Sequence, residues 1–212
     1  MSHTSSTFLQ CKLYLIMGPM FSGKTSELIR QLERYSSIGI PVLAIKHSLD
    51  KKRYDTSGLY SHSGNAFAGF SLDDLEKLFD QEEYKNAKVI GIDEGTFFDN
   101  LVPNVIRMVE TDNKVVYVSG LNGSYQRTDL GQINRLIPLA DDVQFLSGVC
   151  TECCDGTPGV FTHLNVSCDT HTSDSIDAHT NDSSENISLV IVGGADKYRT
   201  VCRKHYLSFN NK

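Results

Sequence analysis

The chain has 212 residues, a formal net charge of −6, and hydrophobic and charged fractions of 40% and 22%. That length can bury a sizeable core, as one large domain or a medium domain with a small appendage, and the composition is that of a globular protein. The acidic balance argues against general nucleic-acid binding through a basic face, and no apolar run nears the ~20 residues of a membrane span, so a cytoplasmic protein is expected.

Residues 1–11 read as a loose polar tail with no charged-then-apolar leader. Lys12 to Met17 then forms an apolar strand that runs into Gly18-Pro19-Met20-Phe21-Ser22-Gly23-Lys24-Thr25, after which Leu28, Ile29, Leu32 and Tyr35 recur at helical spacing. Strand, Gly-x-x-x-x-Gly-Lys-Thr and helix form the context of a phosphate-binding loop. Gly18 and Gly23 permit backbone conformations closed to other residues, which brings N–H groups and the positive end of the helix dipole onto phosphate oxygens. Lys24 supplies a point charge for the outer phosphates, and the Thr25 hydroxyl can ligate magnesium.

The helix ends near Ser36 to Gly39, with Pro41 just past it, and Val42 to Lys46 is a second strand. His47 to Gly69 reads as loop with a short strand pair, and its cluster Asp50-Lys51-Lys52-Arg53 faces either solvent or the nucleotide. Ser71-Leu72-Asp73-Asp74 resembles a capping box opening an amphipathic helix to about Glu83. Lys88-Val89-Ile90-Gly91-Ile92-Asp93-Glu94 is a strand apolar on both faces that delivers two carboxylates at its C-terminal end, the ligand-binding edge of an open parallel sheet. Asp93 is suited to hold magnesium and Glu94 to meet a substrate; the plainer alternative is that both cap the next helix. That helix is expected over Phe97 to Thr111, a strand over Val115 to Ser119, partly helical structure over Leu130 to Leu139, and a last strand over Val143 to Val149. Alternating strands and helices imply a parallel sheet with right-handed crossovers.

Composition changes at Cys150. Cys150-Thr151-Glu152-Cys153 and Cys202-Arg203-Lys204-His205 are two knuckles that together supply four soft donors, a closed and therefore structural zinc site. In a cytoplasmic chain with six Cys, metal ligation is favoured over disulfides. Cys154 can replace Cys153 in this register, and Cys168 with His171 forms a competing pair inside a polar segment, about 165–188, that reads as an insertion.

The ordered set Gly18 to Thr25, Ile92-Asp93-Glu94-Gly95-Thr96-Phe97-Phe98, Gly123-Ser124-Tyr125-Gln126-Arg127, Cys150 with Cys153, and Gly193-Gly194-Ala195-Asp196-Lys197-Tyr198 closely resembles the type II thymidine kinases, from about Lys12 to Tyr206. The resemblance implies a P-loop NTPase fold, a RecA-like parallel α/β sheet over 12–149, followed by a zinc-ribbon and lasso domain over 150–212. It implies that Gly18, Pro19, Met20, Phe21, Ser22, Gly23, Lys24, Thr25, Asp50, Arg53, Asp93 and Gln126 handle the phosphates of ATP, with Thr25 and Asp93 on Mg2+. Glu94 would be the base for the 5′-hydroxyl of deoxythymidine, and Met20, Phe97, Leu121, Tyr125, Thr162, Leu189, Ile191, Val192, Gly193 and Tyr198 would form the nucleoside pocket and its lasso. Zinc would fall on Cys150, Cys153, Cys202 and His205. Feedback inhibition by dTTP, a homotetramer, residence in the cytoplasm (host cytoplasm if viral), and no nucleic-acid or membrane partner follow from the same likeness.

Departures are Tyr125 for the usual Phe, Thr96 for Gln, Asn122 for Asp, and Leu164 near the position of an Arg. None removes a group that phosphoryl transfer requires. The competing readings are a DNA-directed ATPase with a zinc ribbon and a zinc-bearing binding module with a regulatory nucleotide site. The acidic charge counts against the first and the carboxylate pair against the second.

Overall fold

The computed structural model describes residues 10–49, 58–60, 66–165 and 197–210. Its centre is a six-stranded sheet built from β1 (Lys12–Gly18), β2 (Val42–His47), β5 (Gly69–Leu72), β6 (Val89–Asp93), β7 (Val115–Leu121) and β8 (Asp142–Phe145), ordered β5-β2-β6-β7-β1-β8. Every pairing in it is parallel. Parallel strands covered on both faces read as continuous apolar runs, which is why β6 and β7 carry no alternation of polar and apolar residues.

One face of the sheet buries Leu13, Leu15, Met17, Ile90, Ile92 and Val118 against Leu101, Val105 and Ile133. On the other face Ile16, Ala44, Val89 and Val115 pack against Leu28, Ile29 and Leu32 of α1 (Lys24–Ser36). Gly91 has no side chain because Leu32 comes so close that a Cβ would lie 2.5 Å from its Cδ1. This contact seats the helix behind the phosphate-loop sequence directly on β6.

The short strand pair expected between His47 and Gly69 is β3 (Leu59–Tyr60) with β4 (Ala66–Phe67). Four local expectations are corrected. Ser71 and Leu72 do not open a helix: they extend β5 along β2, whose free edge takes them as hydrogen-bonding partners. The cap is Asp74, whose carboxylate accepts from Glu76 N at 2.8 Å, and it starts a 3-10 turn, Leu75–Leu78, that breaks before α2 (Glu82–Asn86). The helix expected over Phe97–Thr111 is a 3-10 turn (Gly95–Phe97), then α3 (Leu101–Ile106) closing in a π turn (Arg107–Thr111). The Gln132 carboxamide caps this helix by accepting from Val102 N at 3.1 Å. The strand expected to stop at Ser119 runs to Leu121, because its pairing with β1 continues to Gly18.

The last correction concerns Val143–Val149, which is two strands. β8 ends at Phe145, and β9 (Gly148–Val149) leaves the sheet to pair antiparallel with β10 (Pro158–Gly159). A second hairpin, β11 (Phe161–Leu164) with β12 (Tyr198–Val201), precedes α4 (Arg203–Asn210). The core of this appendage is small: Cys150, Val201, Cys202 and Tyr206 are its buried cluster. So little apolar area leaves such a unit dependent on cross-links. No helix among the described residues is long and apolar enough to cross a membrane.

Candidate functional site

At the C-terminal edge of the sheet, Gly18 ends β1 with no room for a side chain, since a Cβ there would meet Leu146 O and Ser22 Oγ at 2.6 Å. Gly23 sits at φ 84°, the left-handed conformation open to glycine, as the cap of α1. Phe21, in the same loop, also has a positive φ of 57°. The Ser22 hydroxyl donates to Pro19 O at 2.9 Å and the Lys24 ammonium donates to the same oxygen at 2.7 Å, folding the loop on itself. Lys24 is buried, and burial pulls its pKa down against the attraction of Glu94 and Asp93.

Asp93 and Glu94 arrive from β6, two positions along the sheet from β1. Between them runs β7, and its fully buried Ser119 donates its hydroxyl to Asp93 Oδ1. Thr25 also hydrogen-bonds to the Asp93 side chain. Burial pushes the Asp93 carboxyl above the usual carboxylate range, against the pull of Ser119, Thr25 and Lys24. Ser119 is a site residue that the sequence reading passed over. Its only signal is a polar residue at the C-terminal end of an apolar run, where parallel-sheet strands present ligand-binding groups.

Glu94 has φ 52° and ψ 41°, a left-handed conformation for a residue with a Cβ, and as cap of the following turn it makes no side-chain capping bond. The capping alternative therefore fails for Glu94. Such backbone costs about 1–3 kcal/mol and clusters where surroundings fix a functional side chain. Gly95 lets the turn pack closely on β7: a Cβ there would lie 2.6 Å from Val118 Cγ1. Behind it the buried Thr96 hydroxyl accepts from Leu121 N at 3.0 Å, tying the carboxylate turn to the end of β7.

Of the expected nucleoside-pocket residues, Thr162 and Tyr198 are buried, while Phe97, Leu121 and Tyr125 are half-buried. Phe97 lies against the His47 ring, with centroids 6.0 Å apart, and Tyr125 meets Tyr198 at 6.5 Å. Thr162 Oγ1 accepts from Met20 N at 3.0 Å, which joins the second hairpin to the loop between β1 and α1. Gln126 is exposed, its amide donating to Tyr125 OH at 3.3 Å. Asp50, Arg53, Leu189, Ile191, Val192, Gly193, Cys168 and His171 lie outside the described residues.

Cys150, Cys153, Cys202 and His205 come together, with all four donor atoms within 4.8 Å of one another. His205 Nδ1 lies 3.5, 3.4 and 3.4 Å from the sulfurs of Cys150, Cys153 and Cys202, and Cys153 Sγ lies 3.8 Å from Cys202 Sγ. A tetrahedron with Zn–S of about 2.3 Å and Zn–N of about 2.05 Å has edges of about 3.8 and 3.6 Å, close to these four separations, so the donor set suits zinc. Burial alone would raise the Cys150 thiol, but backbone N–H groups of Cys202, Cys153 and Glu152, with His205, bring it down to about 6, favouring thiolate. Burial, followed by the neighbouring sulfurs of Cys150 and Cys202, pushes the Cys153 thiol up to about 11. Cys154 is excluded from the cluster: it is exposed, at φ 53°, with its thiol donating to Thr151 O at 3.1 Å.

Comparison with known proteins gives one consistent result. The family described as "Thymidine kinase" matches residues 11–206. The chain is 37% identical over 199 residues to thymidine kinase a of Arabidopsis thaliana, covering 92% of this chain and 75% of the relative. It is 38% identical over 195 residues to the thymidine kinase of Monkeypox virus, covering 92% and 96%. To the thymidine kinase of Rabbit fibroma virus (strain Kasza) it is 36% identical over 194 residues, covering 92% and 95%.

Proposed function

Because the chain belongs to the thymidine kinase family, we propose that it moves the γ-phosphoryl group of ATP to the 5′-hydroxyl of deoxythymidine, giving dTMP, with Glu94 as the base. It is an ATP-dependent kinase acting on thymidine. The observation that supports these roles is the convergence of Lys24 and Thr25 with Asp93 and Glu94 at one sheet edge, where Ser119 and Thr25 both hydrogen-bond to Asp93.

Phosphoryl transfer through a loose transition state asks for charge stabilisation, alignment of the acceptor and exclusion of water. The loop from Gly18 to Thr25, with Pro19, Met20, Phe21, Ser22 and Gly23 between, cradles the phosphates by its amides, and Lys24 leaves the Pro19 carbonyl for the outer phosphates. Thr25 and Asp93 would hold Mg2+, which would supply charge neutralisation for the phosphates. Glu94 holds the 5′-hydroxyl and takes its proton late, because bonding to the nucleophile is slight until then.

Met20, Phe97, Leu121, Tyr125, Thr162 and Tyr198 line the nucleoside side in this reading, joined by Leu189, Ile191, Val192 and Gly193. Gln126, Asp50 and Arg53 assist at the phosphates. Cys150, Cys153, Cys202 and His205 carry a structural zinc, which supplies cross-linking energy and no chemistry because no coordination position is left open. The division into a nucleotide unit, 12–149, and a ribbon-and-lasso unit, 150–212, belongs to the same proposal, as do the homotetramer, inhibition by dTTP and residence in the cytoplasm.

The test is purified protein with ATP, magnesium and labelled deoxythymidine, beside ATP hydrolysis with and without DNA. Labelled dTMP with DNA-independent ATP consumption is expected. Hydrolysis that rises with DNA, and no dTMP, overturns the assignment in favour of a DNA-directed ATPase.

A further inference from the structure

Thr162 and Thr200 face each other across the β11–β12 hairpin as Cα partners. Thr162 Oγ1 accepts from Met20 N at 3.0 Å, and the Thr200 hydroxyl donates to Met20 O at 2.5 Å. The hairpin thus holds both backbone polar groups of one phosphate-loop residue. Thr200 is buried, and its methyl is wedged between two glycines: a Cβ at Gly159 or Gly148 would lie 2.6 or 3.0 Å from Thr200 Cγ2. Its position leaves little freedom for the hydroxyl to find another partner.

A second hold comes from α4, which starts directly after the hairpin. Tyr206, next to His205, donates its hydroxyl to the backbone oxygen of Tyr125 at 2.7 Å. The Arg127 guanidinium lies over the Tyr206 ring, 4.5 Å from its centroid, and 5.6 Å from that of Phe161. The loop so held is a tight unit, closed by Arg127 N to Ser124 O at 3.0 Å and Ser124 N to Thr128 O at 2.9 Å, with Arg127 at φ 63°. Moving Tyr125 therefore moves the whole turn.

We infer that Thr200 and Tyr206 are positioning residues through which the zinc-bearing unit sets the distance between the phosphate loop and the nucleoside loop. Neither is among the residues assigned to a substrate. Thr200 acts through the Met20 peptide on ATP, and Tyr206 acts through the Tyr125 carbonyl on the nucleoside. The two holds grip different loops, so their effects separate in the backbone, while in KM they differ in degree, because Met20 also serves the nucleoside side and Gln126 the phosphates. This inference rests on the thymidine kinase reading for its substrates, and its physical core, two side chains fixing two loops, is readable without turnover.

The experiment compares Thr200→Val, Thr200→Ser, Tyr206→Phe and Arg127→Ala with the unaltered protein, each checked for zinc content and melting temperature. Tyr206→Phe and Arg127→Ala are expected to raise KM for deoxythymidine roughly tenfold and KM for ATP by clearly less, through Gln126 of the same turn, since one net hydrogen bond or cation–π contact is worth about the larger factor. Thr200→Val is expected to raise KM for ATP and lower kcat by a similar factor, and Thr200→Ser to restore both. Amide hydrogen exchange reads the same division without catalysis: Tyr206→Phe speeds exchange over Gly123–Thr128 only, and Thr200→Val over Gly18–Gly23 only. Equal KM changes for both substrates, or exchange unchanged in zinc-replete variants, overturn the inference. An unaltered protein that makes no dTMP but shows the divided exchange pattern overturns the functional reading alone.

Discussion

The Lys24 ammonium donates to the carbonyl oxygen of Pro19, five residues earlier in its own loop, at 2.7 Å. A buried lysine with one carbonyl and two nearby carboxylates is a cation held in place by its surroundings, and burial already drives its pKa down. Phosphate oxygens are stronger acceptors than an amide carbonyl and carry charge, so in the proposed role nucleotide binding would exchange a weaker bond for stronger ones.

Replacing the point charge with an apolar chain of similar length therefore strikes the transition state. Lys24→Met is expected to lower kcat by about 10²–10³, as for removal of one preorganised electrostatic group. Steady-state kinetics checks this, with circular dichroism to verify the fold. A variant with near-normal kcat would remove Lys24 from the phosphates.

Glu94→Gln keeps the size and the left-handed backbone of the residue while removing its basicity. Turnover should fall at least ~10², with ATP affinity by calorimetry nearly intact. Unchanged turnover contradicts the assignment of the base.

The metal cluster makes a contrast between neighbours. Cys202→Ser should yield zinc-depleted, insoluble or unfolded protein, because the ribbon core is too small to hold without its cross-link. Cys154→Ser should retain full zinc and the parent melting temperature, since Cys154 is exposed and outside the cluster. Zinc analysis of both variants decides, and a zinc-free, fully active Cys202→Ser protein contradicts the structural role.

His47 ends β2 with its ring edge-on to Phe98 at 4.7 Å, and its Nδ1 accepts from Leu49 N at 3.2 Å. Burial lowers its pKa below 6.5, against the opposing pull of the Asp73 backbone and the Asp73 and Asp99 carboxylates. The unfolded chain then binds the proton first as pH falls, so the stabilising contribution is complete above pH ~6.5 and is lost below it. One proton limits the slope to about 1.4 kcal/mol per pH unit. Denaturant midpoints measured from pH 8 to 5.5 should fall in the acid arm, and His47→Asn should flatten that arm. An unchanged slope in the variant shows that other groups carry the acid loss.

Much of this protein is determined by local sequence. Gly18, Gly23, Lys24 and Thr25 announce a phosphate loop because each residue type answers a steric or electrostatic need set within eight positions. The unbroken apolar run ending in Asp93 and Glu94 announces a buried parallel strand, and the Cys and His knuckles announce a tetrahedral site. Those signals are local, so the sheet, the candidate reacting groups and the candidate metal ligands are legible in the chain itself.

Other features were decided by partners distant in the chain. Ser71 and Leu72 carry helix-start residues yet form a strand because the free edge of β2 offers them hydrogen bonds. Cys153 joins the cluster and Cys154 does not, because the backbone turns to a positive φ between the knuckle and the next strand. Ser119 and Thr200 look ordinary in sequence; their roles depend on what stands beside them, Asp93 in one case and Met20, 180 residues away, in the other. A hydrogen bond is a relation between two positions in space, and when those positions are far apart in the chain only the folded backbone brings them together.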